Sequence, residues 1–223
     1  LKSALFVIMA SIIMYDRIRA EVLKKIKPTE AEERKMDELL TKVMNVAKTE
    51  SGLNPIFVGS IGKGTWLRGD HDIDIFLPFH VDVPREDLEK HGLNYGKKIT
   101  KRLKGKATIK YAEHPYVQCN SGGYKIDIVP CYRIKKNEKI KSAVDRSPLH
   151  LEYVQECLSP EGKDEARLLK QFCKGIGVYG SDAKTLGISG YICELLTIKY
   201  GRFENILRNV SKWEMPVVLD MEN

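Results

Sequence analysis

Two aspartates one residue apart are the first chemistry in this chain. Asp72-Ile73-Asp74-Ile75 alternates acidic and apolar residues with a period of two. In a β-strand alternate side chains share a face, so Asp72 and Asp74 point one way while Ile73 and Ile75 enter a core. Just upstream, Phe57-Val58 reads as a short strand. Gly59-Ser60, Gly62 and Gly64 follow as a glycine-rich turn leading into a short helix. Carboxylates are hard oxygen ligands suited to Mg2+. A Gly-Ser turn offers backbone N–H groups and a hydroxyl to phosphate. Together they outline a site for a divalent metal and a phosphorylated substrate.

A third acid belongs to Tyr124-Lys125-Ile126-Asp127-Ile128-Val129, another predicted strand. Alone, Asp127 reads as a charge on an edge strand. Beside Asp72 and Asp74 it supplies a third carboxylate from an adjacent strand, on the face opposite Ile126 and Ile128.

The elements that must hold these residues are legible in part. Thr29-Glu30-Ala31-Glu32 is a capping box. Behind it Met36, Leu39, Leu40, Val43, Met44 and Ala47 recur at helical spacing, and Gly52 and Pro55 end the helix. Leu88 to Leu103 is a further helix, weakened by Gly92 and Gly96. Thr108 to Tyr111 and Tyr116 to Cys119 read as strands, with Ser121-Gly122-Gly123 as a turn. The second half turns helical. One helix runs from about Ser147 to Leu158 and a second from Asp164 to Lys174, with Leu168, Leu169, Phe172 and Cys173 inward. A third opens at Ser189-Gly190 with Tyr191, Ile192, Leu195 and Leu196 on one face. A strand-rich half followed by a helical half gives an α+β fold. The division is an apolar extension over residues 1–13, a catalytic domain over 14–146 and a helical nucleotide- and substrate-binding domain over 147–223.

Length and charge set limits. A chain of 223 residues can bury a sizeable core, and a net charge of +7 permits a polyanionic partner without requiring one. Seven basic residues and no acidic ones lie between Lys97 and Lys110, which reads either as a solvated face or as a surface for RNA phosphates. The five cysteines, Cys119, Cys131, Cys157, Cys173 and Cys193, form no C-x-x-C pair, which argues against zinc and for reduced thiols in a cytosol. The apolar run from Leu5 to Met14 is too short to span a bilayer. No cleavage site follows it, so no export is expected, and Met14 reads as the natural start.

Gly59-Ser60, Thr65-Trp66-Leu67-Arg68-Gly69, Asp72-Ile73-Asp74, Ala112-Glu113-His114-Pro115-Tyr116 and Val129-Pro130-Cys131-Tyr132, in this order, resemble the archaeal-type (class I) CCA-adding enzymes. These are tRNA nucleotidyltransferases of the nucleotidyltransferase superfamily. The resemblance runs from about Tyr15 to Gly201. It implies a nucleotidyltransferase-type mixed sheet with helices, followed by a mainly helical domain. It implies two-metal, template-independent addition of C, C and A to the 3′ end of tRNA from CTP and ATP, with release of pyrophosphate. Asp72, Asp74 and Asp127 would be the catalytic and Mg2+-holding residues.

The resemblance further implies that Gly59, Ser60, Lys63, His150, Lys170, Tyr179 and Ser189 bind nucleotide. Lys63 departs from the arginine common there, keeping the charge but not the bidentate fork. Each also has a structural reading: Lys63 and Lys170 as solvated lysines, His150 as a capping or packing residue, Tyr179 as core, Ser189 as an N-cap. A cytoplasmic enzyme without a membrane segment is implied, and a dimer in the family. Two rivals stay open. One is a relative on the same scaffold, such as a poly(A) polymerase, an oligoadenylate synthase or a signalling-nucleotide synthase. The other is a non-catalytic RNA-binding module. Val217 to Asn223 reads as a strand just begun, so the chain is expected to lack further tRNA-gripping domains and to bind tRNA weakly, with a shallow salt dependence.

Overall fold

Local signals set the helix boundaries. The computed structural model describes residues 2–180, 187–214 and 216–221, with side chains from residue 13 onward. Helix α1 (Lys2–Ile26) ends before Pro28. Helix α2 (Glu30–Ser51) starts on the Thr29–Glu32 capping box and stops at Gly52, whose positive φ of 68° suits glycine. The remaining elements are β1 (Ile56–Val58), α3 (Gly59–Lys63), β2 (Asp72–Phe79), α4 (Arg85–Arg102), β3 (Lys106–Tyr111), β4 (Pro115–Ser121) and β5 (Tyr124–Tyr132). A 3-10 turn (Ala143–Asp145) then leads to α5 (Arg146–Cys157), α6 (Pro160–Gly175), α7 (Gly190–Tyr200) and α8 (Phe203–Val210).

The strands form one mixed sheet in the order β1-β2-β5-β4-β3. Strands β2 and β5 are parallel neighbours, and the other pairings are antiparallel. This is the α+β arrangement expected. Ile73, Ile75, Ile126, Ile128, Val117 and Cys119 are buried completely on one face. Helix α4 covers that face. Its Gly92 and Gly96 are contact points and not weaknesses: a Cβ on Gly92 would lie 2.6 Å from Pro130, and one on Gly96 would lie 2.7 Å from Val117. Two glycines bring this helix closer to the sheet than any other side chain allows, which offsets their low helix propensity.

The opposite face carries the acids. Beyond them along the strands, Phe76, Val129 and Cys131 pack with Val58 and with Leu151 of α5. The entry to α5 is fixed by buried Asp145, which accepts from the backbone N–H of Tyr132 (2.8 Å) and of Ser142 (2.7 Å). One carboxylate thus ties the end of β5 to the turn that starts α5.

The chain divides into two compact units. One comprises residues 29–64 and 69–156, the sheet with α2 to α5. The other comprises residues 1–28, 65–68 and 157–223. In the second unit Leu169, Cys173, Cys193, Leu196 and Ile206 form the core. Glu165 of α6 takes Arg19 of α1 at 2.6 Å and the backbone N–H of Phe203 at 2.8 Å. The segment 65–68 is held by Arg68 N–H to the carbonyl of Ile26 (2.7 Å) and by Arg167 to the carbonyl of Trp66 (3.0 Å).

Four expectations for this unit differ from the structure. Helix α6 begins at Pro160, with Ser159 as its N-cap, and not at Asp164. Phe172 is exposed, facing Phe203 edge-on. Helix α7 buries Cys193, Glu194, Leu196 and Thr197, while Ile192 faces out. Residues 216–221 form no strand. Among the described residues no helix is long and apolar enough to cross a membrane. Four of the five cysteines are buried, none is in a disulfide, and Cys157 is exposed.

Candidate active site

Parallel pairing of β2 and β5 sets the three acids side by side. Asp74 is in register with Asp127, and Asp72 with Lys125. Paired residues point to the same side of a sheet, so all three carboxylates rise from one face. Asp74 is half-buried and holds its proton unusually well. Burial, then the negative charges of Asp127 and Asp72, push its pKa up to about 6. Burial also raises Asp127, opposed by a 2.8 Å hydrogen bond from the Gln118 amide on β4. Asp72 is more open and accepts a 2.9 Å hydrogen bond from Lys125. That bond raises the lysine pKa.

The β1–α3 connection lies against Asp74. Gly59 has a φ of 64°, and a Cβ there would come within 2.1 Å of Asp74 Oδ2. Glycine is required twice over, by backbone conformation and by this approach. Helix α3 then presents Ser60, half-buried, and Lys63, which is 7% exposed. The Lys63 charge favours ionised Asp74. Gly62 fits beneath β1, where a Cβ would lie 2.3 Å from the carbonyl of Phe57. Helix α5 is tied to the same connection by Gln155, which donates to the carbonyl of Gly62 at 3.1 Å. His150 is half-buried on this helix, next to Leu151 of the apolar cluster on the acid-bearing face. The structure therefore puts Asp72, Asp74, Asp127, Gly59, Ser60, Lys63 and His150 in the sheet unit.

Lys170, Tyr179 and Ser189 belong to the other unit, where they come together around Gly190. A Cβ on Gly190 would lie 2.9 Å from the Tyr179 hydroxyl and 3.6 Å from Lys170 Nζ. Ser189 caps α7, accepting from the N–H of Ile192 at 3.2 Å. Tyr179 bridges to Ile188, and the Lys174 ammonium lies 5.3 Å over its ring. Lys170 is buried rather than solvated. Its ammonium donates to Glu194 Oε1 (2.8 Å) and Thr65 Oγ1 (2.7 Å), and the Thr65 hydroxyl donates to the same Glu194 oxygen (2.5 Å).

Glu194, Thr65, Gln118 and Lys125 were not singled out from sequence. Gln118 and Lys125 carry no local signal, because their roles come from strand register. Glu194 does carry one: an acid inside Tyr191-Ile192-Cys193-Glu194-Leu195-Leu196 is buried only with a partner.

Hard carboxylate oxygens on one face, with burial raising the pKa of Asp74 and Asp127, fit a divalent cation in kind. Among the described residues no group of three or more acidic, histidine or cysteine side chains is arranged to hold a metal ion as it stands. Asp72 would have to exchange Lys125 for the metal.

Residues 40–150 match the Nucleotidyltransferase domain family, and residues 164–223 match the tRNA nucleotidyltransferase second-domain family. Nucleotidyltransferases generally use divalent metal ions. A CCA-adding enzyme of Methanococcus maripaludis (strain C5) is 46% identical over 206 residues, 89% of this chain and 46% of that protein. One of Thermoplasma acidophilum is 46% identical over 208 residues, 91% of this chain and 47% of that protein. The chain thus spans about half the length of the curated relatives it matches. A solved cytoplasmic RNA terminal U-transferase shares the fold, with a TM-score of 0.61 and 16% identity over 82% of this chain and 50% of its own. Two matched family models and these relatives agree with the acid-bearing sheet: the chain belongs to the tRNA nucleotidyltransferase family, that of the archaeal CCA-adding enzymes.

Proposed function

We propose that this protein adds C, C and A to the 3′ end of tRNA, using CTP and ATP and releasing pyrophosphate. The observation that carries the reading is the parallel β2–β5 register, which sets Asp74 opposite Asp127 beside the Gly59–Ser60 connection. Asp72, Asp74 and Asp127 hold Mg2+. When bound, the ions neutralise the triphosphate and lower the pKa of the attacking hydroxyl. The protein supplies position and charge. Gly59 and Ser60 let backbone N–H groups approach the phosphates, and Lys63 adds positive charge there. Gln118 holds Asp127 toward the RNA hydroxyl. His150, Lys170, Tyr179 and Ser189 complete the nucleotide contacts. The Lys170 ammonium is committed to Glu194 and Thr65, so its contribution to a phosphate includes loosening that pair. A cytoplasmic enzyme goes with this reading, and an oligomer is compatible with it, the resembled family being dimeric.

The test supplies a tRNA lacking its terminal CCA with CTP alone, ATP alone or both. The expected products are two added nucleotides with CTP alone, essentially none with ATP alone and three with both. A long homopolymer from one nucleotide would favour a polymerase on the same scaffold. No growth with any mixture, alongside RNA binding, would favour a non-catalytic binding module.

The same site predicts how metal and pH act on stability. Asp74 ionises with a pKa of about 6 in the folded chain against 3.8 as an ordinary aspartate. A raised acid stabilises the fold fully below its unfolded pKa, and that contribution is lost as pH rises through the folded value. Metal-free protein therefore loses this contribution between about pH 4 and about pH 6. Mg2+ restores it by binding the ionised form. Melts at about pH 7.5 should show a clear rise in Tm on adding Mg2+, and melts at about pH 5 a much smaller one. Equal rises at both pH values would contradict a site made of these acids.

A further inference from the structure

The acid-bearing face does not stop at Asp127. Antiparallel pairing carries it across β4 and β3. Asp127 is in register with Gln118, and Gln118 with Thr108. The next rows along the same face are Lys125, Asn120 and Lys106 on one side, and Tyr116 and Lys110 on the other. Outward from the acids the sheet therefore presents amides, hydroxyls and two lysines. Asn120, Thr108, Lys106 and Lys110 are all exposed. Lys110 lies close enough to Asp127 to favour its charged form.

The site has two sides. Lys63 and the Gly59 connection flank Asp74 from the β1 edge, and the lysines lie toward the β3 edge. The rows from β5 to β3 span two strand spacings, about 10 Å. Helix α4 covers the opposite face at β5 and β4, through Gly92 against Pro130 and Gly96 against Val117, so on these two strands the acid-bearing face is the one left for a ligand; β3 is exposed along its whole length.

We propose that the exposed face of β4 and β3 is the track for the 3′-terminal RNA strand, with Lys106 and Lys110 contacting its phosphates and Gln118 and Thr108 lining its path to Asp127. This rests on the nucleotidyl-transfer reading of the same acids. Position favours RNA over the nucleotide. The triphosphate takes the glycine-rich side of Asp74, which leaves the Asp127 side for the chain that carries the hydroxyl. Contacts of this kind hold phosphates and read no bases, so their effect is independent of sequence and sensitive to salt. Lysine on an edge strand also hinders strand pairing between molecules, and the test separates that role.

The experiment compares the unaltered protein with Lys106→Ala, Lys110→Ala, the double variant and Lys110→Arg. It measures Kd for a tRNA ending in CC by salt titration without nucleotide, and KM for RNA and for ATP separately. Each lost lysine should lower the slope of log Kd against log salt by about one contact's worth. KM for RNA should rise about tenfold in the double variant, KM for ATP should stay within about twofold, and Lys110→Arg should restore binding. Unchanged RNA affinity and slope would overturn the track, as would a rise confined to KM for ATP, which would assign the lysines to the triphosphate. Circular dichroism melts should match the unaltered protein, since both side chains are exposed. The binding arm is independent of catalysis. A slope that falls as expected in a protein that adds no nucleotide upholds the track and refutes the transfer reading.

Discussion

Asp74→Ala and Asp127→Ala are each expected to lower the rate of nucleotide addition by about a thousandfold or more, while RNA affinity changes little. These side chains share one face of β2 and β5, and burial with mutual repulsion already suppresses ionisation of Asp74. Their removal takes charge from the reacting centre and leaves the lysine-bearing strands untouched. Asp127→Asn keeps the shape and the contact with Gln118 but loses the charge, so it should fall nearly as far. Single-turnover incorporation and RNA binding, measured on the same preparations, check this. A parallel fall in rate and RNA affinity would mean that the acids serve the RNA and not the chemistry.

The second large effect is on stability. Glu194→Ala should destabilise the fold by about 3–5 kcal/mol. Glu194 is 1% exposed and Lys170 is 2% exposed, with 2.8 Å between ammonium and carboxylate. Taking away the anion strips the buried ammonium of its 2.8 Å carboxylate partner. A combined Lys170→Met and Glu194→Leu variant should recover most of the loss, because the desolvation cost goes with the charges. Urea unfolding measures both. The double variant also tests Lys170 itself: normal stability with a raised KM for nucleotide supports a phosphate contact, and an unchanged KM confines Lys170 to holding segment 65–68. A Glu194→Ala loss below about 1 kcal/mol would contradict the buried pair.

The acids were readable because strand alternation is local. Asp72 and Asp74 need only a period of two, and Thr29 and Ser189 need only a cap followed by a helix. What sequence hid was long-range. Gln118 meets Asp127 and Lys125 meets Asp72 through register between strands, which no spacing within one strand reveals. Gly92 and Gly96 look like faults in a helix until Pro130 and Val117 are placed beneath them. Helix α7 misled for a different reason. Its apolar residues surround it, so periodicity could not choose between a face built on Ile192 and the observed one built on Cys193 and Leu196. The same periodicity puts Phe172 inward, whereas it lies exposed against Phe203.

If the acids of β2 and β5 serve nucleotide transfer to an RNA 3′ end, product and leaving group must appear in step. The most direct test counts pyrophosphate released against nucleotides added to a tRNA lacking its terminal CCA, with CTP and ATP present. One pyrophosphate is expected per nucleotide added, ending after the third. Triphosphate consumed without growth of the RNA, or growth without matching pyrophosphate, would contradict that role of the acids.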